Sequence, residues 1–278
     1  MTQNPLSRYF RQPAIHIRLP SQGRFYPPGA LTETANNEYP VLPMTTMDEI
    51  TYRTPDALFN GSAVVSVIES CMPNIRDAWR VPSVDIDTIL VAIRIATYGH
   101  TMDITTRCPN CSTESDYSVD LRRVMERIRA PDYDAPLEID DLKIFFKTMD
   151  YTQINENSMR QFEDQKTMQV LQDADLDDKQ KLTQLGEVLK KITEFTSLAM
   201  AQNIDRIQTP DHVVTNTDHI LELLVNSDRN LFSKIRARII EIKQSSELRP
   251  LDMKCNNCGH EYQQTYTLDM TSFFADAS

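Results

Sequence analysis

The sequence predicts an α+β fold that combines a mixed N-terminal part of short strands and helices, a zinc-ribbon-like pair of hairpins and a mainly helical insertion. Short segments such as residues 14–19 alternate apolar and polar side chains, which is typical of half-buried strands. Two Cys-x-x-Cys motifs lie about half of the chain apart, each at the turn of a hairpin-like pattern. Between them, residues 151–247 repeat apolar side chains at three- and four-residue intervals, which predicts amphipathic helices.

These patterns divide the chain into three parts. The parts are an extended N-terminal arm (1–13), an α+β domain (14–150 plus 248–278) whose zinc hairpins cover 102–120 and 251–270, and a helical insertion (151–247). The cost of closing a loop grows only with the logarithm of its length, so a long insertion does not prevent the hairpins from meeting. We therefore expect one base from which the insertion leaves and to which it returns.

The N-terminal arm carries an aromatic pair, Tyr9 and Phe10, between Arg8 and Arg11. Terminal segments of this kind are often frayed. Exposed aromatic side chains beside arginine are also typical of protein interfaces. The sequence is compatible with a frayed terminus and with an arm that docks on a neighbouring subunit.

Strand and helix signals alternate between the arm and the first cysteine motif. Alternation marks the strands, whereas capping residues or proline at the start and glycine at the end mark the helices. The segment Thr46–Glu49 fits a capping box, and Gly99 ends the longest of these helices. The predicted elements are strands at 14–19 and 41–44, and helices that begin at Thr46, cover 55–60 and 62–71, and run from a Ser83 cap to Gly99.

The segment between the cysteine hairpins begins with a helix at 121–129 and two strands within 137–149 that turn at Asp140 and Asp141. Four amphipathic helices follow. Their predicted bounds are 153–172, 178–204, 217–226 and, from an Asp228 cap, 228–246.

Four of the five cysteines form two matched pairs, Cys108-Pro-Asn-Cys111 and Cys255-Asn-Asn-Cys258. A Cys-x-x-Cys turn places two thiolates on one side of a tight loop, and two facing turns form the four-sulfur shell that Zn²⁺ prefers. The gap between the pairs is longer than in ordinary zinc ribbons. Two disulfides or four free thiols are the alternatives, and disulfides would need an oxidising compartment, to which nothing in the sequence points. The pattern favours a structural Zn²⁺ bound by Cys108, Cys111, Cys255 and Cys258.

Residues beside the pairs also fit zinc-binding turns. Gly259 follows the second pair, where a left-handed backbone is often needed, and Ser112 holds the same place after the first. His260 could replace a cysteine ligand, but four thiolates already complete the shell, so we expect it outside the ligand set. Cys71 lies in an apolar run and is expected to be a buried thiol.

Composition and missing motifs narrow the function. A net charge of −11 argues against a dedicated nucleic-acid binder, whose affinity rests on phosphate neutralisation. No secretory signal or membrane span is expected, which fits a soluble cytosolic protein or a part of a larger assembly. With only 6 glycines the chain has no Gly-rich phosphate loop, and it has no nucleophile–base motif. We therefore expect no catalytic residues, no small-molecule substrate and no enzyme activity.

One acidic stretch, Asp173–Asp178, looks like the start of a calcium-binding loop. Such a loop needs glycine at its sixth position and glutamate at its twelfth, where this chain has Asp178 and Gln184. The stretch is better interpreted as an acidic linker that caps the following helix, because negative charge stabilises a helix N-terminus.

Three segments resemble a known family. Residues 17–27 read IRLPSQGRFYP, residues 41–49 read VLPMTTMDE, and residues 54–61 read TPDALFNG. Together with the two cysteine motifs, these segments are similar to the T-even-like bacteriophage baseplate hub family of contractile tails. The resemblance covers roughly residues 15–120 and the second cysteine hairpin, and no motif of the helical insertion matches.

The resemblance implies a structural protein at or near the baseplate hub, carried in the virion tail and made in the bacterial host cytoplasm. It implies contacts with other baseplate and tail proteins in an oligomeric particle, and it supplies no catalytic residues. Two alternatives remain open from the sequence: a hub assembly chaperone absent from the mature virion, and a zinc-ribbon regulator that binds nucleic acid. A regulator of that kind would be expected to have a basic hairpin. The two hairpins instead carry Arg107 and Lys254 against the acidic Glu114, Asp116 and Glu261.

Overall fold

The computed structural model describes residues 5–52, 61–173, 178–246 and 248–264. The chain forms two compact units, one of Met1–Ala130 with Ser245–Ser278 and the other of Pro131–Gln244. Helices and small antiparallel sheets occur in both units, so the predicted α+β class is confirmed. The helix predicted at 55–60 falls outside the described residues.

The first unit contains elements from both ends of the chain. In order they are β1 (Ile15–Ile17), β2 (Tyr39–Val41), α1 (Thr46–Tyr52), α2 (Ser62–Cys71), α3 (Ser83–Tyr98), β3 (Thr101–Arg107), β4 (Glu114–Asp120), α4 (Leu121–Arg127), and then β9 (Leu251–Lys254) and β10 (Glu261–Gln264). The strands pair as three antiparallel hairpins or ribbons: β1 with β2, β3 with β4, and β9 with β10.

The core of the first unit forms where α2, α3 and the β1–β2 pair meet. Val41, Ile68, Ile89 and Ile93 are fully buried there. Burying apolar surface stabilises a fold by roughly 25 cal/mol per Å², so these aliphatic side chains supply much of this unit's stability.

The start of α1 differs slightly from the prediction. The helix begins at Thr46 as expected, but the capping box is formed by Thr45 and Asp48. The Asp48 N–H donates to Thr45 Oγ1 (3.2 Å), and the Thr45 N–H donates to Asp48 Oδ2 (2.7 Å). Similarly, Ser83 is the first helical residue of α3 rather than its cap, and that helix ends at Gly99 as predicted.

A buried carboxylate fixes the loop after β1. Asp85 on α3 is fully buried, and it accepts hydrogen bonds from the Ser21 N–H (2.7 Å), the Ser21 hydroxyl (2.6 Å) and the Tyr26 hydroxyl (3.0 Å). Gly23 lies between these donors with a φ of +81°, in the left-handed region that glycine adopts without strain. The Ser-x-Gly-x-x-Tyr spacing of the 17–27 segment therefore has a structural cause within this chain.

The N-terminal segment that was expected to be an extended arm forms a short 3-10 helix at Ser7–Tyr9, and Arg11 holds the segment on the first unit. Its guanidinium donates to the carbonyl oxygens of Pro43 (2.7 Å) and Ser70 (2.7 Å), and it lies 3.2 Å from Asp48 Oδ2. Tyr9 and Phe10, directly before this anchor, are 69% and 58% exposed. The described part of the arm thus combines an anchored arginine with exposed aromatic side chains.

The second unit is built around a four-stranded antiparallel sheet in the order β5-β6-β7-β8. Its elements are β5 (Leu137–Ile139), β6 (Leu142–Phe146), α5 (Tyr151–Asp173), α6 (Asp178–Gln202), β7 (Ile204–Gln208), β8 (Val213–Val214), α7 (Thr217–Asn226) and α8 (Arg229–Ser246). Ile144, Ile204, Ile220 and Ile235 are fully buried in this unit.

Two strands in this unit were not predicted. Residues 151–247 were expected to be helical, but β7 pairs with β6 and β8 pairs with β7. The reason is long-range: Ile207 lies opposite Ile144, so the strand is stabilised by a partner far away in sequence. Among the described helices, none is long and apolar enough to cross a membrane.

Candidate metal centre

The four paired cysteines meet in space. The Sγ atoms of Cys108, Cys111, Cys255 and Cys258 all lie within 4.8 Å of one another, and we call this group the cysteine centre. Cys108 Sγ is 3.7 Å from Cys258 Sγ, and Cys111 Sγ is 3.6 Å from Cys255 Sγ. Four sulfurs at about 2.3 Å from a tetrahedral Zn²⁺ would be about 3.8 Å apart, whereas a disulfide needs about 2.05 Å. The separations therefore fit a metal-binding thiol cluster and not a pair of disulfides.

The first pair is presented by the β3–β4 hairpin, whose strands pair from Thr101 opposite Asp120 to Arg107 opposite Glu114. Beyond the strands the chain closes a tight turn. The Cys108 N–H donates to the Thr113 carbonyl (3.0 Å), and the Ser112 N–H donates to the Cys108 carbonyl (2.9 Å). These bonds direct both thiols to the same side of the turn.

The second pair repeats this geometry at the end of the β9–β10 hairpin. The Cys255 N–H donates to the His260 carbonyl (2.9 Å), and the Gly259 N–H donates to the Cys255 carbonyl (2.9 Å). Gly259 has a φ of +71° and Ser112 a φ of +57°, so both places need the left-handed backbone expected from the sequence. The two turns are local copies of each other although about half of the chain separates them.

Each turn also contacts the other through an asparagine. Asn110 Nδ2 lies 3.6 Å from Cys258 Sγ, and Asn257 Nδ2 lies 3.8 Å from Cys111 Sγ and 3.1 Å from Thr113 Oγ1. Sequence reasoning missed these two residues as part of the site. The signal was present, because both motifs read Cys-x-Asn-Cys.

Comparison with known proteins identifies the family. Residues 36–275 match the model of the family described as T4 bacteriophage base plate protein, which covers most of the chain.

The chain belongs to the T4 bacteriophage base plate protein family.

The family match includes residues 151–247, in which no motif had been recognised, and it begins after the 17–27 segment. No curated protein and no solved structure matched the chain. As a base plate protein, the chain is expected to contact other baseplate proteins in the phage tail.

In this base plate protein, all four residues of the cysteine centre belong to the first unit. Cys108 and Cys255 are buried, Cys111 is half-buried and Cys258 is exposed. The hairpins that carry them also touch each other: the Tyr117 hydroxyl donates to the Lys254 carbonyl (3.1 Å). The centre therefore occupies the junction of two small hairpins rather than the floor of a cleft.

Hydrogen-bond donors around the thiols favour their ionised form. The pKa of Cys111 is lowered to about 6, first by its hydrogen bond with the Thr113 side chain. The pKa of Cys258 is lowered, first by the N–H of His260. Backbone N–H groups of its own turn favour the Cys108 thiolate as well, but burial and the neighbouring thiols raise its pKa to about 11.

Three further sequence predictions concern residues other than the four paired cysteines. His260 is exposed and stacks with Tyr262, and it does not join the group of four potential ligands among the described residues. Cys71 is fully buried at the end of α2, and burial raises its pKa to about 12. In the acidic stretch, residues 174–177 lie outside the described residues.

Proposed function

We propose that this base plate protein is a non-enzymatic structural subunit at or near the hub of a contractile-tail baseplate, stiffened by a Zn²⁺ ion in the cysteine centre. The observation that carries the proposal is the four-thiol geometry within a base plate protein family. The subunit would be assembled in the host bacterial cytoplasm, stay in the virion tail and act through contacts with other baseplate and tail proteins.

The donor set supports a structural and not a catalytic metal. Four thiolates complete the tetrahedral shell of Zn²⁺ and leave no position for a water or a substrate. As far as the structure describes them, the strands of the β9–β10 hairpin are four residues long, and an isolated two-stranded hairpin is marginally stable in water. Metal-binding free energy would therefore serve as folding free energy for this part of the first unit.

Mass spectrometry of purified virions tests the placement. A structural subunit should be present at a fixed copy number relative to the other baseplate proteins. A hub assembly chaperone should be absent or far below stoichiometric, and that result would replace the proposal with the chaperone alternative.

The nucleic-acid alternative has a separate test. A zinc-ribbon regulator would bind DNA tightly with a steep salt dependence, because its affinity would come from released counterions. We expect only weak retention in a filter-binding titration, since the protein carries a net charge of −11. Tight, salt-sensitive binding at physiological ionic strength would favour the regulator instead.

The two cross-turn asparagines should tune metal affinity. We expect Asn110→Ala or Asn257→Ala to weaken Zn²⁺ binding by about tenfold, because groups that hydrogen-bond to metal ligands typically contribute 10- to 100-fold. Competition with a chromophoric chelator would measure this. Asn256→Ala is the matched control, since among the described residues the Asn256 side chain forms no hydrogen bond with the cysteine centre. Equal affinities for all three variants would show that the asparagine–thiol contacts do not support the metal.

The aromatic residues of the arm should affect assembly and not folding. We propose that Tyr9 and Phe10 dock on a neighbouring baseplate protein, with Arg11 fixing the arm on its own subunit. The free energy of unfolding of the double variant Tyr9→Ala/Phe10→Ala should lie within about 0.5 kcal/mol of the wild-type value, because both side chains are exposed. The same variant should be incorporated poorly into baseplates. Val213→Ala, which truncates another exposed apolar residue, is the control. Normal incorporation of the double variant, measured in complementation of a defective phage, would rule out arm docking.

A further inference from the structure

A groove beside β9 is not used by the proposed metal centre. It has a volume of about 370 Å³, and its walls come from β4, α4 and β9 of the first unit. Its lining consists of residues 117–120, Arg123, Val124, Arg127 and residues 251–254. We call it the basic groove, because Arg123 and Arg127 in its lining have no ion-pair partner among the described residues.

One wall of the basic groove is an open strand edge. β9 pairs with β10 on one side, and no other described strand pairs with it. The Cys255 N–H donates to the His260 carbonyl, and backbone groups alternate in direction along an antiparallel pair, so those of Asp252 and Lys254 point away from β10. The Tyr117 hydroxyl already donates to the Lys254 carbonyl, which agrees with this direction. The N–H and C=O of Asp252 therefore form an open donor–acceptor pair on the groove side.

The opposite wall carries two cationic side chains. Arg123 and Arg127 are exposed on α4, one turn apart, and neither forms an ion pair with any residue that the structure describes. Arginines with no ion-pair partner in the described part of the chain are notable in a protein whose net charge is −11. Their charge is available to an acidic partner.

The other charged groups of the lining are engaged. Asp120 Oδ2 lies 2.7 Å from the Arg122 guanidinium, and the Asp252 carboxylate accepts from Gln263 (3.2 Å). The Lys254 ammonium lies 3.8 Å from a Glu261 oxygen on the neighbouring strand. The two acidic side chains therefore do not neutralise Arg123 and Arg127.

We propose that the basic groove binds an extended segment of a partner protein by strand addition to β9, with two acidic side chains of that segment facing Arg123 and Arg127. Residues four apart on a helix are about 6 Å apart along its axis, and residues two apart on a strand are about 6.6 Å apart. An acidic-x-acidic segment therefore matches the arginine spacing while its backbone pairs with Asp252. Val124, Leu251 and Met253 give the groove a buried apolar side for the remaining residues.

Peptide binding in the basic groove is independent of the proposed hub placement and requires only a folded first unit. It can fail while virion mass spectrometry and metal content still support the proposed function. The converse also holds, since a folded chaperone would keep the same groove.

A peptide-binding experiment on the full-length, metal-loaded protein tests the inference. The probes are acetylated heptapeptides with Asp or Glu at positions three and five and Val, Ile, Thr or Leu elsewhere. We expect saturable binding by fluorescence anisotropy and slower hydrogen exchange at the Asp252 amide. The double variant Arg123→Glu/Arg127→Glu should weaken binding by at least about tenfold, because two attractive pairs become repulsive. Arg127→Glu alone, compared with Arg129→Glu outside the groove, is the matched pair of single variants.

Four results would overturn the inference. One is the absence of binding by every acidic peptide to protein whose circular dichroism is native. Another is equal binding by peptides with Lys at positions three and five, since charge would then play no part. A third is unchanged hydrogen exchange at the Asp252 amide when peptide is added. A fourth is full binding by peptides with proline at position four, because proline removes a backbone donor that strand pairing uses. In those cases the charged side chains of β9 only protect an exposed edge from aggregation.

Discussion

Removal of the metal from the cysteine centre is expected to unfold the two hairpins that carry it. Zinc binding to small domains supplies on the order of 10 kcal/mol at neutral pH, and neither hairpin has a sizeable core of its own. The variant Cys258→Ser, which removes one ligand, should lower the free energy of unfolding of the first unit by several kcal/mol. Elemental analysis of freshly purified protein should give one zinc per chain.

Hydrogen exchange locates this effect. Chelation or Cys258→Ser should accelerate exchange in β3, β4, β9 and β10, while β6 and β7 of the second unit serve as an internal reference. Asn256→Ala, in the same turn as Cys258, should leave the exchange of all these strands unchanged. The hairpins would not depend on a metal if the purified protein contained no zinc but its hairpins were protected from exchange. The same conclusion would follow if chelators did not change the exchange of the hairpins.

Stability should depend on pH through Asp85. Its pKa is raised from 3.8 to about 6, mainly by burial, although hydrogen bonds from Ser21 and Tyr26 oppose the shift. Between these values the folded protein holds a proton that the unfolded chain has released. The stabilising contribution of Asp85 is therefore fully present only below its unfolded pKa of 3.8 and is lost as pH rises through about 6, by about 3 kcal/mol in total.

The matched comparison is wild type against Asp85→Asn, which has nearly the same shape and cannot titrate. Urea unfolding at a series of pH values should show the free energy of unfolding of the wild type falling by about 2 kcal/mol relative to that of the variant between pH 4 and pH 6.5. Titrations shared by both proteins cancel in this difference. Parallel stability curves would mean that Asp85 titrates alike in the folded and unfolded states.

Local signals predicted local structure well in this chain. The turn at Asp140, which has a φ of +53°, joins β5 and β6 as expected, and α7 covers the predicted residues 217–226. The capping of α8 by Asp228 is also confirmed, since its Oδ1 accepts from the Leu231 N–H (2.8 Å). In each case the residues that determine the conformation are close neighbours in sequence.

Contacts between residues that are distant in sequence were predicted only where both residues belonged to a recognisable motif. The two cysteine turns could be matched because each carries the same spacing of a rare residue. Asp85 and Ser21 carry no such mark, and neither do Ile144 and Ile207, so the buried carboxylate and strand β7 were missed. The asparagine contacts were missed for a different reason: their residue type is common in turns and suggested no role of its own.

The distance in sequence between the two cysteine turns also determines how long the first pair waits for the second during synthesis. A ribosome adding about 5–20 residues per second takes on the order of 10 s to pass from the first cysteine pair to the second. During that interval the β3–β4 hairpin displays two thiols without their partners. A product terminated anywhere before Cys258 can never close the cysteine centre. Closure of the centre is thus a chemical sign that synthesis has passed the second pair of cysteines.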